Sequence, residues 1–325
     1  MLRIPGYEIT YPRDGSMALA MAEQLPRILS AVISENRWLK RVATRRHFDL
    51  VISDNRFGLS HPRIPSVYIT HQPSIRLPVA VRSLEPTLRA FHIRIMKRFT
   101  EVWIPDWAEE PSFAGELTHP PRLPHNFHYI GPITRFGRWD PSRKLEPGKG
   151  ESGREEMTWD LCAIVSGPEP QRTILEEMVI RQLRGAEIKA VVLAGRTEDA
   201  ERVEISPKVE LFSHLPSGQI EQIILRSRVI LSRPGYSTPL DMAALGKKAI
   251  FIPTPGQTEQ EYLAGRLKTL GGFVIQRQDK FDLLKALKEA EASSASFPSS
   301  GVAESLDDRL DALLPGQLQP VGSSQ

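Results

Sequence analysis

Cysteine is almost absent from this chain. Only Cys162 occurs among 325 residues, so no intramolecular disulfide can form and disulfide-stapled scaffolds are excluded. Cys162 lies in an apolar run and is expected to be a small core residue in a reducing compartment. Long hydrophobic runs are also missing. No stretch approaches the ~18 apolar residues that a membrane span needs, and the opening MLRIPGYEITYPRDG has no apolar core of the signal-peptide kind. These absences predict a soluble, cytoplasmic protein. No His/Cys/Asp grouping has metal-ligand spacing, so no metal and no resident cofactor are expected. What is present is ordinary globular composition, 40% hydrophobic and 25% charged, with enough chain for two domains with separate cores.

The net charge of +3 conceals an asymmetry. Residues 1–150 hold 22 Lys and Arg against 14 Asp and Glu, a balance of +8, and the remainder holds 20 against 25, a balance of −5. A basic front half invites phosphates or anionic lipid. Without an RNA or DNA motif it does not point to nucleic acid.

Short apolar runs in the front half alternate with helical stretches. Asp49–Asp54, Ser66–His71, Glu101–Pro105 and Phe127–Gly131 read as parallel strands buried on both faces. Helices are expected over 16–46, with a possible break at Pro26, and over 86–99. Residues 137–158 lose apolar periodicity and gather Gly, Pro and charge, which marks a linker between a front domain, 1–136, and a back domain, 159–292. The back domain restarts the alternation with strands at 160–166, 189–194, 209–212, 229–232, 248–252 and 272–275. Helices intervene at 171–184, 219–226, 239–245, 259–270 and 280–292. This pattern predicts an α/β protein of two doubly wound sheets with an inter-domain cleft, ligands lying beyond the carboxyl ends of the strands. From Ser293 onward, Ser, Pro and Gly predict a mobile tail with a short helix at 302–314.

The densest chemical signal is Leu231–Ala264. A strand ends at Ser232, a Pro-Gly turn follows, and Thr238-Pro239-Leu240-Asp241 opens a helix. Backbone N–H groups at such a start, beside a glycine without a side chain, suit a diphosphate. Asp241 is either a capping acid or an acceptor of hydrogen bonds from ribose hydroxyls. Gln257, Gln260 and Glu261 are either a solvated helix start or side chains that donate to and accept from sugar hydroxyls. In the front half, Asp54, Asn55 and Arg56, with His71 and Gln72, fall at two strand ends. Phe91, Ile95 and Phe99 form an i, i+4, i+8 stripe with Arg94, Lys97 and Arg98 off it. That helix is either packed on the core or a membrane-surface patch over 89–99.

The run Arg233, Pro234, Gly235, Tyr236, Thr238, Asp241, Gly246, Pro253 and Gln260-Glu261 resembles the signature of family 28 glycosyltransferases of the GT-B fold. Asp stands where that signature has Glu, and Glu261 where it has a second Gln. The resemblance implies a UDP-sugar donor, N-acetylglucosamine or a related hexose, and a hydroxyl acceptor that can be lipid-linked at the inner membrane face. It places Gly235, Ser237 and Thr238 on the diphosphate and Asp241 on the ribose. Ser166, Gly167, Gln171 and Arg172 would form a second diphosphate and sugar loop, with Arg172 or Arg233 meeting the leaving charge. Phe212-Ser213-His214-Leu215-Pro216 falls where the family holds the base through main-chain atoms. His71-Gln72 is similar to an acceptor-side stretch, which leaves Asp54 or His71 as the base that deprotonates the acceptor. The family's opening strand and glycine-rich loop ending in His have no match here, so the front domain is expected to begin one β-α unit late. A UDP-sugar 2-epimerase and a non-catalytic nucleotide-sugar-binding subunit are the alternatives.

Overall fold

The computed structural model describes residue 4 and residues 17–136, 158–196, 201–293, 301 and 303–314. The opening segment, residues 137–157 of the expected linker, and 294–300 and 315–325 of the expected tail lie outside the described residues. The chain divides into two compact units, one formed by 18–132 with the segment from 301, the other by 133–293 and its flanks.

The first unit opens with α1, Met17–Ala43, which continues through Pro26 without a break. It is followed by β1 (Val51–Asp54), β2 (Ser66–Ile69), α2 (Glu85–Met96), β3 (Glu101–Ile104) and β4 (Phe127–Tyr129). The four strands form one parallel sheet in the order β1-β2-β3-β4. β3 is buried at every position, as strands covered on both faces must be. On one face Tyr68, Met96, Phe99, Val102, Ile104 and Phe127 form the core. Of the expected packing stripe Phe99 is buried, but within α2 it is His92 and Met96 that face inward, and Phe91 is 55% exposed. His92 meets the edge of Phe57, whose ring stacks on Tyr68 at 5.1 Å.

Burial holds the His92 imidazole neutral and pushes its pKa down to about 4. The unfolded chain takes up this proton near pH 6.5, so the stability it supports is complete above that value and is lost as pH falls toward 4. A shift of this size corresponds to about 3 kcal/mol. Urea midpoints of the first unit should fall between pH 6.5 and 4, and His92→Asn should flatten that dependence. An unchanged slope in the variant would assign the acid sensitivity to another group.

The second unit contains β5 (Trp159–Ile164), α3 (Gln171–Arg184), β6 (Ala190–Leu193), β7 (Arg202–Ser206), β8 (Val209–Phe212), α4 (Ser217–Leu225) and β9 (Ser227–Ser232). It continues with α5 (Ser237–Ala244), β10 (Lys248–Phe251), α6 (Thr258–Leu270), β11 (Phe273–Ile275) and α7 (Leu283–Ala292). Seven strands run in the order β11-β10-β9-β5-β6-β8-β7, parallel except for the edge hairpin β7-β8. Two apolar layers cover the sheet, one built on Leu175, Val179 and Leu183 of α3, the other on Ile224, Met242 and Leu267 of α4, α5 and α6. Cys162 is fully buried in the second layer, its thiol pushed up to about 12 by burial, which accords with a packing role.

The segment expected to be a mobile tail behaves otherwise between 301 and 314. Its helix α8, Leu306–Leu313, belongs to the first unit, where Leu310 and Leu313 pack against Val67, Trp103 and Ile130. The Arg309 guanidinium donates to both carboxylate oxygens of Glu101, a residue only 7% exposed that also accepts from Trp103 Nε1 at 2.7 Å. Glu304 adds an ion pair to His128 at 2.8 Å and another to Arg309 at 3.2 Å. Gly301 lies against the Trp107 ring so closely that a Cβ would stand 2.5 Å from it. A long-range ion pair and an apolar contact therefore fix a segment whose composition alone predicts none.

Candidate functional site

In the second unit the chain begins at β5 in the middle of the sheet, moves outward to β6 and β8, then returns to β9 on the other side of β5. Such a reversal leaves a crevice between the loops that follow β5 and β9, because those two loops depart in opposite directions. The β5 loop carries Ser166 and Gly167. Gly167 has φ +115°, a conformation that side-chain-bearing residues avoid, and no atom lies within 4 Å of where its Cβ would be. The β9 loop carries Arg233, Pro234 and Gly235. Gly235 likewise faces open space. Ser237 and Thr238 open α5, and no side chain caps that helix start.

Arg233 is 2% exposed. Its Nη1 donates to the Ile252 carbonyl at 3.0 Å and its Nη2 to the Gln171 carbonyl at 3.1 Å, which ties the end of β10 to the start of α3. Nε has no partner, and no carboxylate pairs with the guanidinium among the described residues. Burial lowers its pKa to about 10, so it stays cationic at neutral pH. A buried cation without a counter-ion, at the switch point of a parallel sheet, gives the crevice a positive field.

Several expected ligand contacts are engaged within the unit. Asp241 is fully buried. Its Oδ1 accepts from Thr134 Oγ1 at 2.9 Å and from the Arg135 N–H at 3.0 Å, and its Oδ2 from Arg135 Nε at 2.8 Å. The carboxylate thus clasps the first residues of the second unit to α5, in the structure as it stands. Gln257 caps α6 by accepting from the Gln260 N–H. Gln260 Oε1 in turn accepts from the Thr254 N–H at 2.8 Å, and Glu261 Oε1 from the Gly256 N–H at 2.8 Å. These three side chains shape the loop after β10. Arg172 pairs with Glu169 at 2.6 Å and donates to the Gly195 carbonyl. Gln171 is buried at the first position of α3, and His214 is exposed with Leu215 half-buried beyond β8.

In the first unit the register pairs Asp54 with Ile69, and the Asn55 N–H donates to the Ile69 carbonyl at 3.1 Å, so Asp54 and Asn55 leave the sheet beside His71 and Gln72. Asn55 has φ 51°, a left-handed turn that asparagine tolerates, and its Oδ1 accepts from Tyr68 at 3.4 Å. The Arg56 guanidinium is held by Glu35 of α1 at 2.6 Å, and Glu35 also accepts from the Gly58 N–H. A group that sequence reasoning missed stands one strand further on. The fully buried Asp106 accepts from the N–H groups of Trp107, Phe113 and Ala114 and from Thr118 Oγ1, and so folds the loop beyond β3. An acid directly after the buried run Glu101–Pro105 was the available signal.

Residues 169–305 match the glycosyltransferase family 28 C-terminal domain. Over 223 residues the chain is 29% identical to a UDP-N-acetylglucosamine--N-acetylmuramyl-(pentapeptide) pyrophosphoryl-undecaprenol N-acetylglucosamine transferase from Nitrobacter winogradskyi, covering 63% of this chain and 55% of that protein. The protein of the same name from Nitrobacter hamburgensis is 28% identical over 215 residues, 63% of this chain and 54% of that one. The chain thus spans about half the length of these relatives. The glycotransferase of kitacinnamycin superposes with a TM-score of 0.55 at 17% identity, covering 90% of this chain and 77% of that one. SnogD of Streptomyces nogalater superposes with a TM-score of 0.51 at 16% identity, over 81% and 72% of the two chains. The chain has the GT-B fold, and its residues 169–305 resemble the glycosyltransferase family 28 C-terminal domain.

Proposed function

We propose that the chain transfers a hexose, N-acetylglucosamine or a close relative, from a UDP-sugar to a hydroxyl acceptor. The observation that carries this reading is the crevice between the β5 and β9 loops, where the buried, carboxylate-free Arg233 stands behind the open Gly235. A diphosphate supplies the missing negative charge and can approach a backbone that has no Cβ. The start of α5, which no side chain caps, adds the positive end of its helix dipole and the Ser237 N–H, while the Thr238 N–H donates to the Gly235 carbonyl at 3.1 Å.

In the reaction the acceptor oxygen attacks the anomeric carbon, the bond from that carbon to the β-phosphate oxygen breaks, and UDP departs with the electron pair. Asp54 or His71, at the carboxyl edge of the first unit, takes the acceptor proton. The positive field of Arg233 and the α5 start stabilise the departing diphosphate. Asp241 reaches a ribose only if Thr134 and Arg135 release it, so its role in donor binding is coupled to that clasp. A lipid-linked acceptor accords with the relatives' names and with Phe91, 55% exposed on α2, where Arg94 is also exposed. No helix among the described residues is long and apolar enough to cross a membrane, so contact with a bilayer would be peripheral.

Incubation with UDP-N-acetylglucosamine tests the reading. UDP release that depends on an added lipid-linked or soluble hydroxyl acceptor is the expected result. Conversion of the sugar without UDP release would instead identify an epimerase, and binding without change a nucleotide-sugar-binding subunit.

A further inference from the structure

The first unit holds a cavity of about 480 Å³ that includes none of Asp54, Asn55, His71 and Gln72. Its cations are Arg37 and Lys40 on α1, Arg98 just beyond α2, and His61 on the segment between β1 and β2. No carboxylate lines it, and Arg37, Lys40 and Arg98 have no ion-pair partner among the described residues. Val32, Ile33 and Phe57 give the same cavity an apolar wall.

This wall is held in place by the fold. Asn36 Nδ2 donates to the Gly58 carbonyl at 3.0 Å and to the Ser60 carbonyl at 2.9 Å, and Glu35 accepts from the Gly58 N–H. A Cβ on Gly58 would stand 2.4 Å from that of Glu35, so the 57–62 segment lies flush against α1. The rigid segment keeps three like charges around one space, an arrangement that is repulsive until an anion enters it. The charge of Lys40 is felt there, since after burial it is Arg63 and Lys40 that hold the His61 imidazole below its ordinary pKa.

We propose that this cavity binds a phosphate monoester attached to an apolar body, at a site separate from the proposed sugar-transfer machinery. A phosphate monoester carries close to two negative charges and three acceptor oxygens. Guanidinium groups match that geometry with paired N–H donors, and Lys40 supplies a point charge. The wall of Val32, Ile33 and Phe57 takes the carbon skeleton next to the phosphate. The charge recognises the head, and the apolar wall gives an ester a contact that bare inorganic phosphate lacks.

The ligand comes either from a soluble phosphate ester or from a phosphomonoester lipid headgroup, and two probes separate these sources. Phenyl phosphate is titrated by calorimetry into the full chain. Vesicles of phosphatidylcholine with and without phosphatidic acid are tested by co-sedimentation. The double variant Arg37→Gln/Arg98→Gln should bind the effective probe at least tenfold more weakly, while a control pair in the other unit, Arg181→Gln/Arg184→Gln, should bind as the wild type does. Both changes are at exposed positions and should leave the thermal midpoint and UDP binding in place. Binding of phenyl phosphate identifies a soluble ester, and binding only to phosphatidic acid vesicles a lipid head. Inorganic phosphate binding as tightly as phenyl phosphate, no binding of either probe, retained binding in the double variant, or equal loss in the control pair would each overturn the proposal.

Discussion

Gly235→Val should lower UDP affinity by about a hundredfold, close to 3 kcal/mol, while leaving the fold intact. Nothing lies within 4 Å of the position a Cβ would take at Gly235, and its φ lies outside the left-handed region, so the new side chain meets no protein atom at its first carbon. Gly235 is half-buried with open space at its Cβ, so the substitution should change stability by about 0.5 kcal/mol. The space it fills is the one assigned to the diphosphate. Calorimetric titration with UDP, paired with a thermal melt, reads both quantities. Unchanged affinity in a folded variant would remove the diphosphate from the β9 loop.

The second large effect concerns stability. Arg309→Leu should destabilise the first unit by about 3 kcal/mol, because it leaves the buried Glu101 carboxylate with only the Trp103 N–H for compensation. Neutralising the orphaned charge should restore most of the loss, so Arg309→Leu/Glu101→Gln should unfold in urea nearer to the wild type than the single variant. If the single variant matches the wild type, then α8 does not stabilise the unit in solution.

Much of the sheet framework is legible in the sequence because parallel strands covered on both faces are short uninterrupted apolar runs. Asp49–Asp54 and Glu101–Pro105 contain β1 and β3, and 160–166 overlaps all of β5 but Trp159. β7 escapes that reading. Its RVEIS sequence lies at an antiparallel edge with Arg202, Val203 and Glu204 exposed, and five alternating polar and apolar residues give a weaker signal than an unbroken apolar run. The departure of α2 from its expected stripe has a similar cause: His92 is polar in composition but buries as a neutral ring against Phe57.

The site divides along the same line. Backbone features are local, so the turn at Arg233–Gly235 and the helix start at Ser237 can be read from neighbouring residues. Side-chain partners are not local. Asp241 is engaged by Thr134 and Arg135, 107 and 106 positions away, and Glu101 by Arg309, 208 positions away. No periodicity encodes such pairs. Gln257, Gln260 and Glu261 show a third case, in which side chains able to hold a sugar are used by the backbone of their own loop.

The central claim is that a nucleoside diphosphate occupies the crevice between the β5 and β9 loops, and amide hydrogen exchange with and without UDP tests it most directly. The account predicts slowed exchange concentrated at 166–172 and 233–241, with the 57–62 segment of the first unit unaffected. UDP binding that leaves both of those stretches unchanged, and protects residues elsewhere, would contradict it.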